Sequence, residues 1–169
     1  MSVEIRRETE RDIQAIREVN RRAFDREVEA RLVDDLRSEG YARLSLVADE
    51  GGRIVGHIMF SEAVVRTGIG EVASLALGPV AVTPERQRLG IGSALVREGL
   101  DQCAKTYYRS VFLLGFPGYY PRFGFSAELA RNLSSAYSGE AFMALELVPG
   151  ALAGVTGVFE FAPPFEAAS

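Results

Sequence analysis

A single cysteine, Cys103, and a single histidine, His57, are all the thiol and imidazole that this 169-residue chain carries. One cysteine excludes an internal disulfide and makes a reducing compartment the expected setting. The pair cannot assemble a Cys/His zinc site, so no metal is expected. A Ser-His-Asp triad would have to use His57, and no serine stands in a G-x-S-x-G segment. No run approaches the ~20 consecutive apolar residues of a membrane helix. The first residues, MSVEIRRETERD, carry charge where a signal peptide needs an apolar stretch. A soluble, cytoplasmic protein without membrane contact is expected. Basic charge is also short: 19 Lys and Arg stand against 23 Asp and Glu, a net charge of −4. Duplex nucleic acid demands clustered basic residues, so a nucleic-acid partner is not expected. A local basic site for one small anion remains open.

What is present reads as one globular domain over 1–169, with 47% hydrophobic and 25% charged residues. VEIRRET alternates like a strand. Ile13, Ile16, Val19 and Ala23 form the stripe of a first helix, and Val28, Leu32, Val33 and Leu36 that of a second. Residues 43–49, 53–65 and 71–82 read as three strands, separated by EGG and RTGIG, in an antiparallel meander. Val96, Leu100, Cys103, Ala104 and Tyr107 have the spacing of a third helical stripe. SVFLLG is a short buried strand. FPGYYPRFGF is a turn-rich aromatic segment holding a short helix, with Phe116, Tyr119, Tyr120, Phe123 and Phe125 in one cluster. Two final strands, within 140–148 and 154–161, complete the order β-α-α-β-β-β-α-β-α-β-β. The fold class is α/β, with a mixed sheet of the α+β kind.

The stretch PERQRLGIGSALV joins the third meander strand to the third helix. Gly90 and Gly92 let a bulky group approach the backbone, because no Cβ stands in the way. The first turn of a helix offers unpaired N–H groups and the positive end of its dipole, a seat for phosphate. Arg86 and Arg88 add charge, and no acidic residue follows Glu85 until Glu98. Local composition alone fits a glycine-rich helix start equally well. A Rossmann fingerprint fails, because Leu95 stands where the third glycine belongs. No G-K-[ST] tripeptide supports a Walker loop. Upstream, Pro79 cannot donate to a sheet ladder and Gly78 is backbone-permissive, so a bulge or an ordinary edge kink is expected there.

Gln87, Gly90 and Gly92 form Q-x-x-G-x-G, which resembles the acyl-CoA pyrophosphate loop of the GNAT superfamily of N-acetyltransferases. The longer segment VAVTPERQRLGIGSAL follows that superfamily's register. YPRFGF, Tyr120 to Phe125, is similar to its Y-x-x-x-G-F, and GYYPRFGF looks like a bacterial subgroup of acyltransferases. The resemblance implies a GNAT fold splayed at strands 4 and 5, with acetyl-CoA as co-substrate. It implies that Gln87, Arg88, Leu89, Gly90, Ile91, Gly92 and Ser93 hold the pyrophosphate. The backbone of Val80, Ala81 and Val82 would pair with the pantetheine arm, and the Val80 N–H would stabilise the oxyanion. Tyr120, rather than Tyr119, takes the place of the family's general acid.

The reaction so implied moves acetyl to a primary amine by direct attack in a ternary complex. The fourth-strand glutamate that some members use as a base is Ala76 here. Glu71, Glu62 and His57 are the substitutes, acting through water, though a lone histidine on a strand reads more readily as a structural residue. The acceptor, a small-molecule or protein amine, is expected against NRRAFDREVEA and NLSSAYSGEAF, with Phe24, Phe60 and Tyr137 lining an apolar pocket. Neither segment carries a specificity code. The alternative is a catalytically weak CoA-binding sensor or interaction module on the same fold. Members of the family often dimerise, which leaves a homodimer open.

Overall fold

The computed structural model describes residues 2–168. Strand β1 (Glu4–Arg7) leads to helices α1 (Ile13–Phe24) and α2 (Val28–Ser38). The meander follows as β2 (Ala42–Glu50), β3 (Arg53–Thr67) and β4 (Gly70–Val82). Helix α3 (Ile91–Cys103) crosses to β5 (Ser110–Leu114). The chain ends with α4 (Ala127–Ala130), β6 (Leu133–Ser134), β7 (Phe142–Glu146), β8 (Gly157–Glu160) and α5 (Pro164–Ala167). The expected order is present, with the short helix of the aromatic segment appearing as a 3-10 turn at Tyr120–Phe123 and with three additions, α4, β6 and α5. A two-residue strand and two four-residue helices are too short for any hydrophobic period to show.

The sheet runs β1-β2-β3-β4-β5-β7, with β8 beside β3 and β6 beside β8. Neighbours are antiparallel except β4 with β5 and β6 with β8. Strand β3 is buried almost throughout because both faces are covered. Ile58 and Phe60 pack with Leu95 and Val96 of α3. Met59 packs on the opposite face with Ile16, Val33 and Leu36 of α1 and α2. A third cluster, around Phe112, Phe142 and Phe159, closes the C-terminal end.

Helix α3 buries Ile91, Leu95, Val96, Gly99 and Cys103 and ends there, leaving Ala104 and Tyr107 in solvent. The expected stripe was displaced because its most closely packed member is a glycine, which no count of apolar residues includes. A Cβ at Gly99 would lie 2.4 Å from Phe60 Cε1, and Phe60 is fully buried. Gly99→Ala is therefore expected to destabilise the protein by about 1–3 kcal/mol through overpacking, outweighing the better helix propensity of alanine. A thermal melt checks this: a melting temperature equal to or above wild type would show that α3 can move off the sheet without cost.

Strand β4 carries the feature that makes a site. Ile58 faces Val80 but Phe60 faces Leu77, so two β4 residues, Gly78 and Pro79, oppose the single Met59 of β3. This is a β-bulge, where the missing proline N–H and the permissive glycine are expected to place one. On its other side β4 meets β5 only at Leu75↔Val111 and Ala76↔Phe112. Past Ala76 the two strands part, while β5 remains paired with β7 as far as Leu114↔Phe142.

Candidate active site

The loop from β4 to α3 is pinned at its start and open at its end. Glu85 receives Arg22 of α1 and Arg53 of β3, and Arg86 bonds Glu50. These pairs turn Glu85 away from the glycines and commit Arg86 elsewhere. Arg88 is exposed, and among the described residues it has no ion-pair partner. Gln87 Nε2 donates to Val82 O (2.9 Å), so this side chain ties the loop to the end of β4. Arg88 (φ +66°) and Gly90 (φ +87°) both take left-handed backbone, a curvature that gathers successive N–H groups into a concavity. Among the described residues no acceptor meets the N–H groups of Arg88, Leu89, Gly90, Ile91, Gly92 or Ser93. A Cβ at Gly92 would meet only Tyr119 Oη and Val82 Cγ2, each at an ordinary 3.8 Å. The protein itself has room for a side chain there.

The aromatic segment closes over this loop. Ser93 Oγ and Tyr119 Oη lie 2.8 Å apart, and the Arg122 guanidinium covers the Tyr119 ring at 4.4 Å. Tyr119 thus belongs to the α3 N-terminus. Tyr120 turns the other way, edge-on to Tyr119 and Phe125. Its ring lies against Gly115, where a Cβ would come within 2.4 Å of Tyr120 Cε2. Gly115 is a seat for the ring that sequence reading overlooked. Burial, helped by Tyr119, pushes the Tyr120 phenol up to about 12. Phe116 is not part of the aromatic cluster: it is 73% exposed.

Where β4 and β5 part lies a cavity of about 360 Å³. Val80 and Tyr120 both line it, and so do Leu77 and Leu114 from the two diverging strands. Phe24 and Tyr137 line it as expected. Phe60 does not, because its place in β3 points it to the α3 face, fully buried. Glu29 of α2 also lines the cavity. It lies inside NRRAFDREVEA, but a helical glutamate three residues from an arginine looks like a solvated surface pair, and nothing else in the sequence marks it.

None of the three substitute bases lines this cavity. Glu71 sits near the tip of the β3–β4 hairpin and pairs with Arg66. Glu62 is held by Arg43 and by the Tyr108 hydroxyl (2.9 Å). Ala76, in the place of the absent glutamate, is fully buried core. His57 is fully buried between α1 and β2. Asn20 Nδ2 donates to Ile16 O (3.0 Å), which fixes the amide, and it approaches His57 Nδ1 at 3.2 Å. Nδ1 therefore accepts, and Nε2 carries the proton toward Ser45 Oγ at 2.8 Å. Ser45 in turn donates to Glu8, which Arg37 holds. Burial drives the imidazole down to about 3, so the fold requires the neutral ring.

A depressed histidine stabilises above its unfolded pKa of about 6.5 and loses that contribution as pH falls toward the folded value. From pH 6.5 to 5 the loss is about 2 kcal/mol, at about 1.4 kcal/mol per pH unit. With one histidine in the chain, this window belongs to His57. Urea midpoints at pH 7 and pH 5 measure it, and equal midpoints would contradict the buried neutral ring.

The splayed sheet, the bulged fourth strand and the glycine loop at a helix start together define a known class. The family model of the acetyltransferase (GNAT) domain matches residues 4–127. The chain belongs to the GNAT N-acetyltransferase family. It is 37% identical over 160 residues to the Escherichia coli protein named N-acetyltransferase YhbS, covering 93% of this chain and 95% of that one. The crystal structure of YhbS in complex with CoA superposes with a TM-score of 0.89 and 34% identity, over 97% of this chain and 92% of that chain. A Brucella melitensis GNAT acetyltransferase in complex with acetyl-CoA superposes with a TM-score of 0.81 and 37% identity, over 97% and 98%. Among the described residues no helix is long and apolar enough to cross a membrane, and no cluster of His, Cys, Asp or Glu could hold a metal ion.

Proposed function

We propose that the protein transfers acetyl from acetyl-CoA to a primary amine by direct attack within a ternary complex. One observation carries the reading: the six free N–H groups at the start of α3, the unpaired edge of β4 and the cavity holding Val80 and Tyr120 follow one another along a single strand-loop-helix unit. Relatives similar over nearly the whole chain hold CoA or acetyl-CoA, which supports the same co-substrate here.

In this reading the N–H groups of Arg88 to Ser93 cradle the pyrophosphate, and the Arg88 guanidinium adds the charge that Arg86 has spent on Glu50. Gln87 acts on the loop's shape through its bond to Val82. Val80, Ala81 and Val82 offer backbone to the amide-bearing pantetheine arm. The Val80 N–H faces the carbonyl oxygen as negative charge develops on it, an interaction typically worth about 3 kcal/mol. Tyr120 keeps its proton at any physiological pH and gives it to the departing sulfur. The amine enters from the cavity side. The chemistry fits a cytoplasmic protein, and a sensor role without catalysis has no observation in its favour.

Calorimetric titration of the purified chain with acetyl-CoA and CoA, with NAD and ATP as comparators, tests the reading. Selective binding of acetyl-CoA and CoA is expected. Failure of both to bind would reduce the glycines to a helix start and end the enzyme assignment.

A further inference from the structure

The cavity beside Val80 and Tyr120 has a composition that speaks to the acceptor. Its walls are aromatic and aliphatic: Phe24 and Leu32 on the helices, Leu77 and Leu114 on the parted strands, Phe161 and Phe165 near the C-terminus. Glu29 is the one acidic side chain among its lining residues, and no cationic side chain lines it. The Glu29 side chain is 13% exposed. Arg26 holds both of its oxygens, Nε to Oε1 at 2.9 Å and Nη2 to Oε2 at 2.5 Å, and is itself 59% exposed. A carboxylate offers about four acceptor sites, so an ammonium can still be received from within. At roughly 30 Å³ per water-sized group, 360 Å³ holds about twelve such groups, shared between the acetyl thioester and the acceptor. The wall of Tyr137, Phe161 and Phe165 is shared with a neighbouring cavity of about 490 Å³, which gives a substituent somewhere to go.

We propose that the acceptor is a small primary amine on an aromatic body, an arylalkylamine without a carboxylate, whose ammonium is received by Glu29. The aromatic walls bury the ring. The lone carboxylate selects a cation. A carboxylate or phosphate on the acceptor would find no cationic side chain lining the cavity, only the Glu29 carboxylate, and a polyol would lose its hydration against apolar walls.

The step balances on the groups present. The ammonium gives one proton to Glu29, directly or through water, and the free amine attacks the thioester carbonyl carbon. The C–N bond forms, the nitrogen releases its second proton, and the C–S bond breaks. The sulfur takes a proton from Tyr120, one of the two amine protons replaces it, and the other leaves to solvent. The products are the N-acetylamine and CoA.

The proposal rests on the acetyltransferase reading, and one assay separates the two. CoA release is followed at saturating acetyl-CoA with 2-phenylethylamine, tryptamine, phenylalanine, spermidine, kanamycin and a lysine peptide. The two arylalkylamines are expected to exceed every other amine in kcat/KM by at least tenfold. Phenylalanine is the sharpest comparator, since it adds only a carboxylate to 2-phenylethylamine. Faster turnover of any non-aromatic amine, of the peptide or of phenylalanine overturns the acceptor class and leaves the enzyme reading standing. Acetyl-CoA binding without turnover of any amine overturns it as well. Absence of acetyl-CoA binding overturns both readings.

Glu29→Gln should raise the KM for 2-phenylethylamine at least tenfold with the KM for acetyl-CoA unchanged, which also shows that the variant is folded. Arg26→Gln should leave both within twofold. If Glu29 served only as the partner of Arg26, the two variants would behave alike, and that result would remove Glu29 from the acceptor site.

Discussion

Gly92→Val should abolish measurable acetyl-CoA binding in a protein that still folds. A loss of at least 100-fold in affinity is expected, about 2.7 kcal/mol or more. The position is unusual in that the protein's own atoms do not require glycine. Gly92 lies in the first turn of α3, and a Cβ there would touch its neighbours only at 3.8 Å. In the proposed reading, what a branched side chain obstructs is the approach of a phosphate to the free N–H groups on either side. Gly92→Ala should be the milder of the two, and the melting temperatures of both should stay near wild type. Calorimetry decides the matter: unchanged affinity in a folded Gly92→Val protein would falsify the loop assignment.

Tyr120→Phe should lower kcat by about 10² to 10³, the range of a lost general acid, with acetyl-CoA affinity held within twofold. Phenylalanine keeps the ring against Gly115 and its edge contacts with Tyr119 and Phe125, so packing is preserved. Among the described residues the Tyr120 hydroxyl makes no hydrogen bond, so no structural bond is lost with it. Steady-state rates with a saturating amine measure the effect. Wild-type turnover in the variant would remove Tyr120 as the proton donor and return Tyr119, bonded to Ser93, to consideration.

The parts of this protein that were legible in its sequence are those where the backbone needs a particular residue. Pro79 after Gly78 announced the bulge, because a proline cannot serve a ladder. Gly90 and Gly92 announced the loop. Short turns between β-branched runs announced the meander. The parts that were not legible depend on distance in space. Gly115 and Gly99 are seats for rings that arrive from elsewhere in the chain, and a glycine says nothing of what will lean on it. Phe60 was placed in the acceptor pocket, but the alternation of β3 sends it to the α3 face. Glu29 is hidden by its own helix, since its partner Arg26 is also its sequence neighbour. The pairing of β6 and β8 joins segments more than twenty residues apart, with only two residues of contact each.

The parting of β4 from β5 has a consequence for the life of the protein before its ligand arrives. Most unpaired strand edges lie on the outside of a sheet, where each added strand exposes another edge and growth continues. Here the open edge is internal. Strand β3 closes one side of β4, β7 closes the far side of β5, and the two strands remain joined at Leu75 and Ala76. Anything that pairs with β4 in this slot is walled in by β5 and presents no fresh edge to a third chain. A gap inside the sheet thus differs from an outer edge: whatever pairs with β4 there leaves no further edge for another chain to join.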